Sequence, residues 1–229
     1  MRNILYALPL FAAAPLAAQI ATPERPVTDP KSVTSPANPQ AGPVAIEDLV
    51  LIRQVLGAAW SADGRTIFTS NDLSGRYNLW RSAASGSWPQ QLTQSDDMQY
   101  GLAVSPDGQW LYFQQDRGGD EQFDILAVPV GGGTTANLTN TPEIREVSAL
   151  PSRDGKLIAI STKKRTEGQM NVAVIDAATR KSRALTSEAD AKFIWTPVAW
   201  VDGDKALIVN RVTVDQTIGE VWRIDVASG

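Results

Sequence analysis

The densest group of chemically capable side chains is Asp116-Arg117-Gly118-Gly119-Asp120-Glu121. Carboxylates and a guanidinium this close together could hold the amino end or the carboxylate of a peptide through charge-assisted hydrogen bonds. A plainer reading is preferred: a charged hairpin that turns at Gly118-Gly119, with Arg117 satisfied by its own neighbours. His-dependent catalysis is excluded, because the chain contains no His. It also contains no Cys. Those two facts remove a Ser-His-Asp triad, a Cys-His pair, a thiolate nucleophile, His- or Cys-ligated zinc and any disulfide.

The remaining candidates are weaker. Gly131-Gly132-Gly133 is followed by neither a helix nor Lys-Ser/Thr, so it reads as a turn and not a phosphate loop. Lys163-Lys164-Arg165 reads as solvated surface rather than a docking patch. Asp96-Asp97 lacks the alternating oxygen spacing of a calcium loop and reads as exposed turn residues. No metal site and no cofactor is expected. The net charge of -4 argues against a nucleic-acid partner.

These residues sit in a repeating frame. Trp60-Ser-Ala-Asp-Gly64 recurs as Val104-Ser-Pro-Asp-Gly108, as Pro151-Ser-Arg-Asp-Gly155 and, degraded, as Trp200-Val-Asp-Gly203. The glycines are 44, 47 and 48 residues apart. Gln91-Leu-Thr93, Asn137-Leu-Thr139 and Ala184-Leu-Thr186 keep nearly the same period. After each Asp-Gly come an apolar run, a polar loop and a second strand-like run. The turn chemistry is clear: Gly takes positive φ without steric cost, and Asp bonds its own backbone. The unit therefore predicts four strands, with the segment before Asp-Gly innermost and the Leu-Thr segment outermost. Four strands in roughly 40–50 residues describe a propeller blade.

The fold class expected is all-β, a partial β-propeller of about four blades of four antiparallel strands. The blades fall near 50–94, 95–140, 141–187 and 188–229. No Leu-Thr strand follows Gly203, so the last blade is expected to be incomplete and the chain to be a fragment of a longer protein. One short helix is expected within Ile46–Val55. Of the seven tryptophans, Trp60, Trp80, Trp110, Trp200 and Trp222 fall in repeat register and are expected to pack between blades. Trp88 and Trp195 fall outside it and are expected to be exposed. That makes Trp195 a candidate contact for a ligand or a neighbouring domain, with Asp116, Arg117, Asp120 and Glu121.

Arg2, the apolar run Ile4–Leu16 and the small residues Ala17, Ala18 and Ala21 have the pattern of a secretory signal, read as residues 1–21. The run is shorter than the ~20 residues a membrane span needs. The protein is expected to be exported, periplasmic or secreted, with no membrane span after signal cleavage. Residues 22–44, rich in Pro, Ser and Thr, read as a disordered linker.

Ala45-Ile-Glu-Asp-Leu49, Leu56-Gly-Ala-Ala-Trp-Ser-Ala-Asp-Gly64 and Asn78-Leu79-Trp80 resemble the start of the propeller in the prolyl oligopeptidase family of serine peptidases. The resemblance is to the subgroup of acylaminoacyl and dipeptidyl peptidases. The segment Tyr112 to Ile125, with its Asp-Arg-Gly-Gly-Asp-Glu hairpin, is the more specific match. The Ser-Pro-Asp-Gly turn alone is shared with the propeller of the Tol system. The resemblance covers Ala45 to Gly229. It implies a propeller that restricts substrates to short peptides, partnered by a C-terminal α/β-hydrolase domain that carries the catalytic Ser, Asp and His. The chain has no G-x-S-x-G elbow, so no catalytic residue carries over. The alternative is a periplasmic protein-binding propeller of Tol type, with no enzymatic role.

Overall fold

The computed structural model describes residues 42–43 and 45–229. The signal read in 1–21, and nearly all of the linker read in 22–44, lie outside the described residues. Residues 47–229 form one body. It opens with a single helical turn, α1 (Ile46–Val50), and is otherwise built from strands. Among the described residues no helix is long and apolar enough to cross a membrane.

Four antiparallel sheets follow one another along the chain. The first holds β1 (Val55–Trp60), β2 (Thr66–Asn71), β3 (Asn78–Ala83) and β4 (Gln90–Gln91). The second holds β5 (Gln99–Val104), β6 (Trp110–Gln115), β7 (Asp124–Pro129) and β8 (Ala136–Asn137). The third holds β9 (Ile144–Pro151), β10 (Leu157–Lys164), β11 (Asn171–Asp176) and β12 (Ser182–Ala184). In the fourth, β13 (Phe193–Val201), β14 (Ala206–Thr213) and β15 (Gly219–Asp225) are described. Strands pair in chain order in every sheet. This is an all-β partial propeller of four blades, the last with three described strands.

In blades one to three the turn between the first and second strands is a small hydrogen-bonded machine. Ser61, Ser105 and Ser152 each donate a hydroxyl to the Asp two residues on. The same hydroxyls accept the amides of Thr66, Trp110 and Leu157, all at 2.9 Å. Each Asp also takes the amide two residues further on, at 3.0 Å. The glycines that close the turns, Gly64, Gly108 and Gly155, have φ of 68°, 68° and 72°. That is the left-handed region that side chains with a Cβ resist.

The Leu-Thr marker does a different job from the one its sequence suggests. The outer strands β4, β8 and β12 end just before it. Leu92, Leu138 and Leu185 donate their amides to the carbonyls of Leu79, Ile125 and Val172, each at 2.8 Å. The hydroxyls of Thr93, Thr139 and Thr186 then accept the amides of those same three residues, at 3.0, 3.1 and 2.9 Å. The threonine side chain thus stands in for one more rung of strand, and the leucine turns into the seam between blades.

Three apolar clusters fill the seams, one per blade boundary. Phe68 and Leu79 of blade one meet Leu111, Phe113, Leu126 and Val128 of blade two. Tyr112 and Ile125 meet Ile158, Ile160 and Ile175 of blade three. Val172, Val174 and Leu185 meet Trp195, Trp200, Leu207 and Ile224 of blade four. A lone sheet could bury only one side, so each blade owes its burial to its neighbour.

The tryptophans depart from their expected places. Trp80 and Trp200 are buried as expected, but Trp60, Trp110 and Trp222 are 59%, 39% and 48% exposed. Trp88 is exposed, whereas Trp195, expected to be exposed, is only 9% accessible. The reason is local. Trp195 lies in the long first strand of blade four and faces the seam with blade three, its indole donating to Glu188 at 3.2 Å.

Candidate functional site

In blades one to three the loop between the second and third strands shares a rim with the link to the next blade. Asp116–Phe123 is that loop in blade two, hung between β6 and β7. Its charges are paired, and the partners lie beyond the hairpin as well as within it. Arg117 forms an ion pair with Asp124, the first residue of β7, and reaches Asn140 at 3.3 Å. Asp120 pairs with Arg165 of blade three at 2.9 Å. Glu121 lies 3.7 Å from Arg145, also of blade three, and its carbonyl accepts from Arg145 at 3.2 Å. Arg145 in turn stacks 4.9 Å from the Phe123 ring, which meets Tyr100 edge-on at 5.2 Å. The loop tip is fixed from the other side, where the Gly118 amide donates to Asp97 at 2.7 Å.

Four of the five residues singled out in the sequence, Asp116, Arg117, Asp120 and Glu121, therefore lie in one loop, and their bonds make it a clamp across the seam of blades two and three. Arg165, read as solvated surface, is part of that clamp and also pairs with Glu143 at 3.3 Å. Asp97, read as an exposed turn residue, is its anchor. Arg145 and Glu146 carried no local sequence signal. Arg145 acts through contacts with residues more than twenty positions away, Glu121 and Phe123, whereas the Glu146 side chain is bonded locally, by Thr141 at 2.8 Å.

The electrostatics differ along the loop. Asp120 is held below the usual carboxylate range, first by the Gln122 amide and also by Arg165. Asp116 is raised by burial, against the pull of the Glu121 amide, with Asp97 and Asp120 adding repulsion. Its residue is 3% accessible, and its Oδ1 has no hydrogen-bond partner. Glu146 is raised to about 7 by burial, opposed by bonds from Thr139 and Thr141.

Trp195 belongs to a second group, at the seam of blades three and four. Arg211 bridges Glu188 at 2.8 Å and Glu220 at 3.2 Å, with its guanidinium over Phe193. Burial works to raise Glu188, but the Asp190 amide, Arg211 and Trp195 outweigh it and hold the carboxyl at about 2. Trp222 packs against Trp195 with centroids 5.7 Å apart. Among the described residues, no hydrogen bond or ion pair joins this group to the Asp116–Glu121 loop.

Without an imidazole or a thiol, neither group is equipped for nucleophilic catalysis through such a residue. What the Asp116–Glu121 rim can do is hold charged ends of a ligand, or dock a neighbouring domain, on a loop kept rigid by ion pairs.

Residues 51–201 match the family described as the TolB beta propeller domain. The chain belongs to that family. The match to the TolB propeller takes in blades one to three and the first strand of blade four. Solved structures share the fold. A protein assigned as TolB from Agrobacterium tumefaciens superposes with a TM-score of 0.54 at 20% identity, over 74% of this chain and 66% of its own. TolB from Acinetobacter baumannii gives 0.51 at 20% identity, over 76% of this chain and 44% of its own. A puromycin hydrolase gives 0.56 at 17% identity, over 76% of this chain and 27% of its own. The chain thus spans less than two thirds of the length of each of these proteins. At such identities the likeness is one of fold, and it is shared by propellers of both kinds.

Proposed function

We propose that this TolB-type propeller is the substrate-selecting gate of an exported serine peptidase that acts on short peptides, its nucleophile residing in an α/β-hydrolase domain outside these residues. The observation that carries the reading is the Asp116–Glu121 loop. Its sequence resembles the prolyl oligopeptidase hairpin, and its side chains are spent on holding a rim rigid across two blades. A rigid rim excludes long or folded substrates and admits short ones. The fold shared with puromycin hydrolase fits this reading.

A second reading has its own support in the TolB family match: a periplasmic propeller that binds a protein partner and has no enzymology. The product of the complete coding unit, treated with a fluorophosphonate probe that labels serine hydrolases, separates the two. Labelling together with hydrolysis of a dipeptide anilide supports the gate. Absence of both, with capture of a stable envelope protein, supports the binding module and rejects the gate.

A further inference from the structure

The three seams are built to one plan, and they differ in the side chains that meet at one place in each. At each seam the fourth residue of the third strand meets the residue that follows the third strand of the next blade. By repeat register these pairs are Arg81 with Val130, Ala127 with Ala177, and Val174 with Val226. The second members are equivalent in structure as well. The amides of Val130, Ala177 and Val226 donate to Gln109, Lys156 and Lys205 at 3.0, 2.9 and 2.8 Å.

In the first seam Arg81 donates to the Val130 carbonyl at 3.3 Å, and the two residues border a hollow that Asp63 and Asp107 also line. In the third, two valines fill it, and Val174 and Val226 are 3% and 7% accessible. In the second, both places fall to alanine. A cavity of about 220 Å³ opens there, lined by Trp110, Tyr112, Ala127, Leu138, Ala177 and Arg180 among others.

Its lining contains no carboxylate, unlike the neighbouring hollows that border Asp63, Asp107 and Asp154. Arg180 stands at its mouth. A left-handed φ of 60° turns the chain there, and the guanidinium reaches across the seam to the Asn137 carbonyl at 3.4 Å. Trp110, expected to pack between blades, is instead 39% exposed along the wall. Apolar walls, small-residue floor and a cation at the entrance are complementary to one kind of ligand.

We propose that this cavity binds a carboxylate carried on a Leu- or Phe-sized apolar group, as at the C-terminus of a peptide. Arg180 takes the carboxylate, and the side chain enters between Ala127 and Ala177 beside the Trp110 ring. The proposal does not depend on the peptidase reading, since the seam lies within these blades whichever larger protein they serve.

The test is calorimetric titration of the purified chain with acetyl-Ala-Ala-Leu, its C-terminal amide and 4-methylpentanoate, in parallel with tryptophan fluorescence. The acid should bind at least tenfold more tightly than the amide. Arg180→Gln should reduce the acid to the level of the amide. Ala177→Val, copied from the Val226 position, should fold with an unchanged or higher melting temperature and lose binding of both. Ala127→Val serves if that variant does not fold. If the tripeptide is tighter than 4-methylpentanoate, the ligand is a peptide terminus. If the two are equal, it is a small acid, and either result supports the site. Equal affinity of acid and amide, no binding at millimolar concentrations, or binding that survives the valine filling would overturn it.

Discussion

Ser161 Oγ donates to the carbonyl of Trp195 at 2.8 Å, across the seam between blades three and four. Ser70 does the same to Gln99 across the first seam. At the second, the Gln114 side chain accepts the Ser148 amide at 3.2 Å. All three residues lie six positions after the turn glycine. The repeat therefore carries a polar tie at each seam beside its apolar filling, and the tie sets how one blade registers on the next. Ser161 is 1% accessible. Ser161→Ala leaves the Trp195 carbonyl buried without its donor, which should cost about 1–3 kcal/mol. Urea unfolding measures it. A change within error would mean that the tie contributes nothing.

Arg117 and Asp124 should behave as a pair. The Asp124 side chain is 4% exposed, and it also accepts from Asn137 at 2.7 Å and from the Thr141 amide at 2.8 Å. In blades one and three the same place is held by Asn78 and Asn171, which likewise accept amides from the next link, at 2.7 and 2.6 Å. Arg117→Gln alone should destabilise by roughly 1–3 kcal/mol, because it leaves a buried carboxylate with less compensation. Adding Asp124→Asn should recover part of that loss. Strict additivity in the double-mutant cycle would count against the pairing.

How much was legible in the sequence follows from where the determinants lie. Asp-Gly turns, strand order and blade period depend on residues a few positions apart, and these were readable. The Leu-Thr marker is plain in the sequence, but its chemistry is not: the hydroxyl replaces a strand rung across fourteen residues. Trp195 falls outside the repeat register, and its burial comes from packing against blade three. Arg165 looked like surface because its partner, Asp120, is 45 residues away and is brought near only by stacking. The Ala127–Ala177 cavity is visible only when the three seams are laid over one another.

Gly101 should tolerate substitution less well than Gly64. Both have positive φ, 71° and 68°. A Cβ at Gly64 meets nothing within 4 Å, whereas one at Gly101 meets the Gln114 side chain at 2.8 Å. Gly64→Ala should cost about 1 kcal/mol from backbone strain alone. Gly101→Ala should cost more and disturb the tie from Gln114 to Ser148. Equal melting temperatures for the two variants would contradict this.

Glu146 should make stability fall as pH rises. Its folded pKa, about 7, stands above the ordinary 4.5. Between those values the folded state keeps a proton that the unfolded state has lost, so the protonated form stabilises the fold at low pH. That contribution is lost as pH rises from about 4.5 to 7, at up to about 1.4 kcal/mol per pH unit. Glu146→Gln should flatten that slope between pH 5 and pH 8. Urea midpoints of the two proteins with the same pH dependence would refute it.

The gate itself is tested most directly by cleavage of a peptide length series by the product of the complete coding unit. The comparison is with the double variant Asp120→Asn, Arg165→Gln, which cuts the clamp between blades two and three. The exposed pair is worth only ~0–1 kcal/mol, so the fold should persist. The account predicts an unchanged rate on a dipeptide anilide and a several-fold gain on peptides too long for the native protein. No hydrolysis by the intact protein, or the same length preference with and without the clamp, would contradict it.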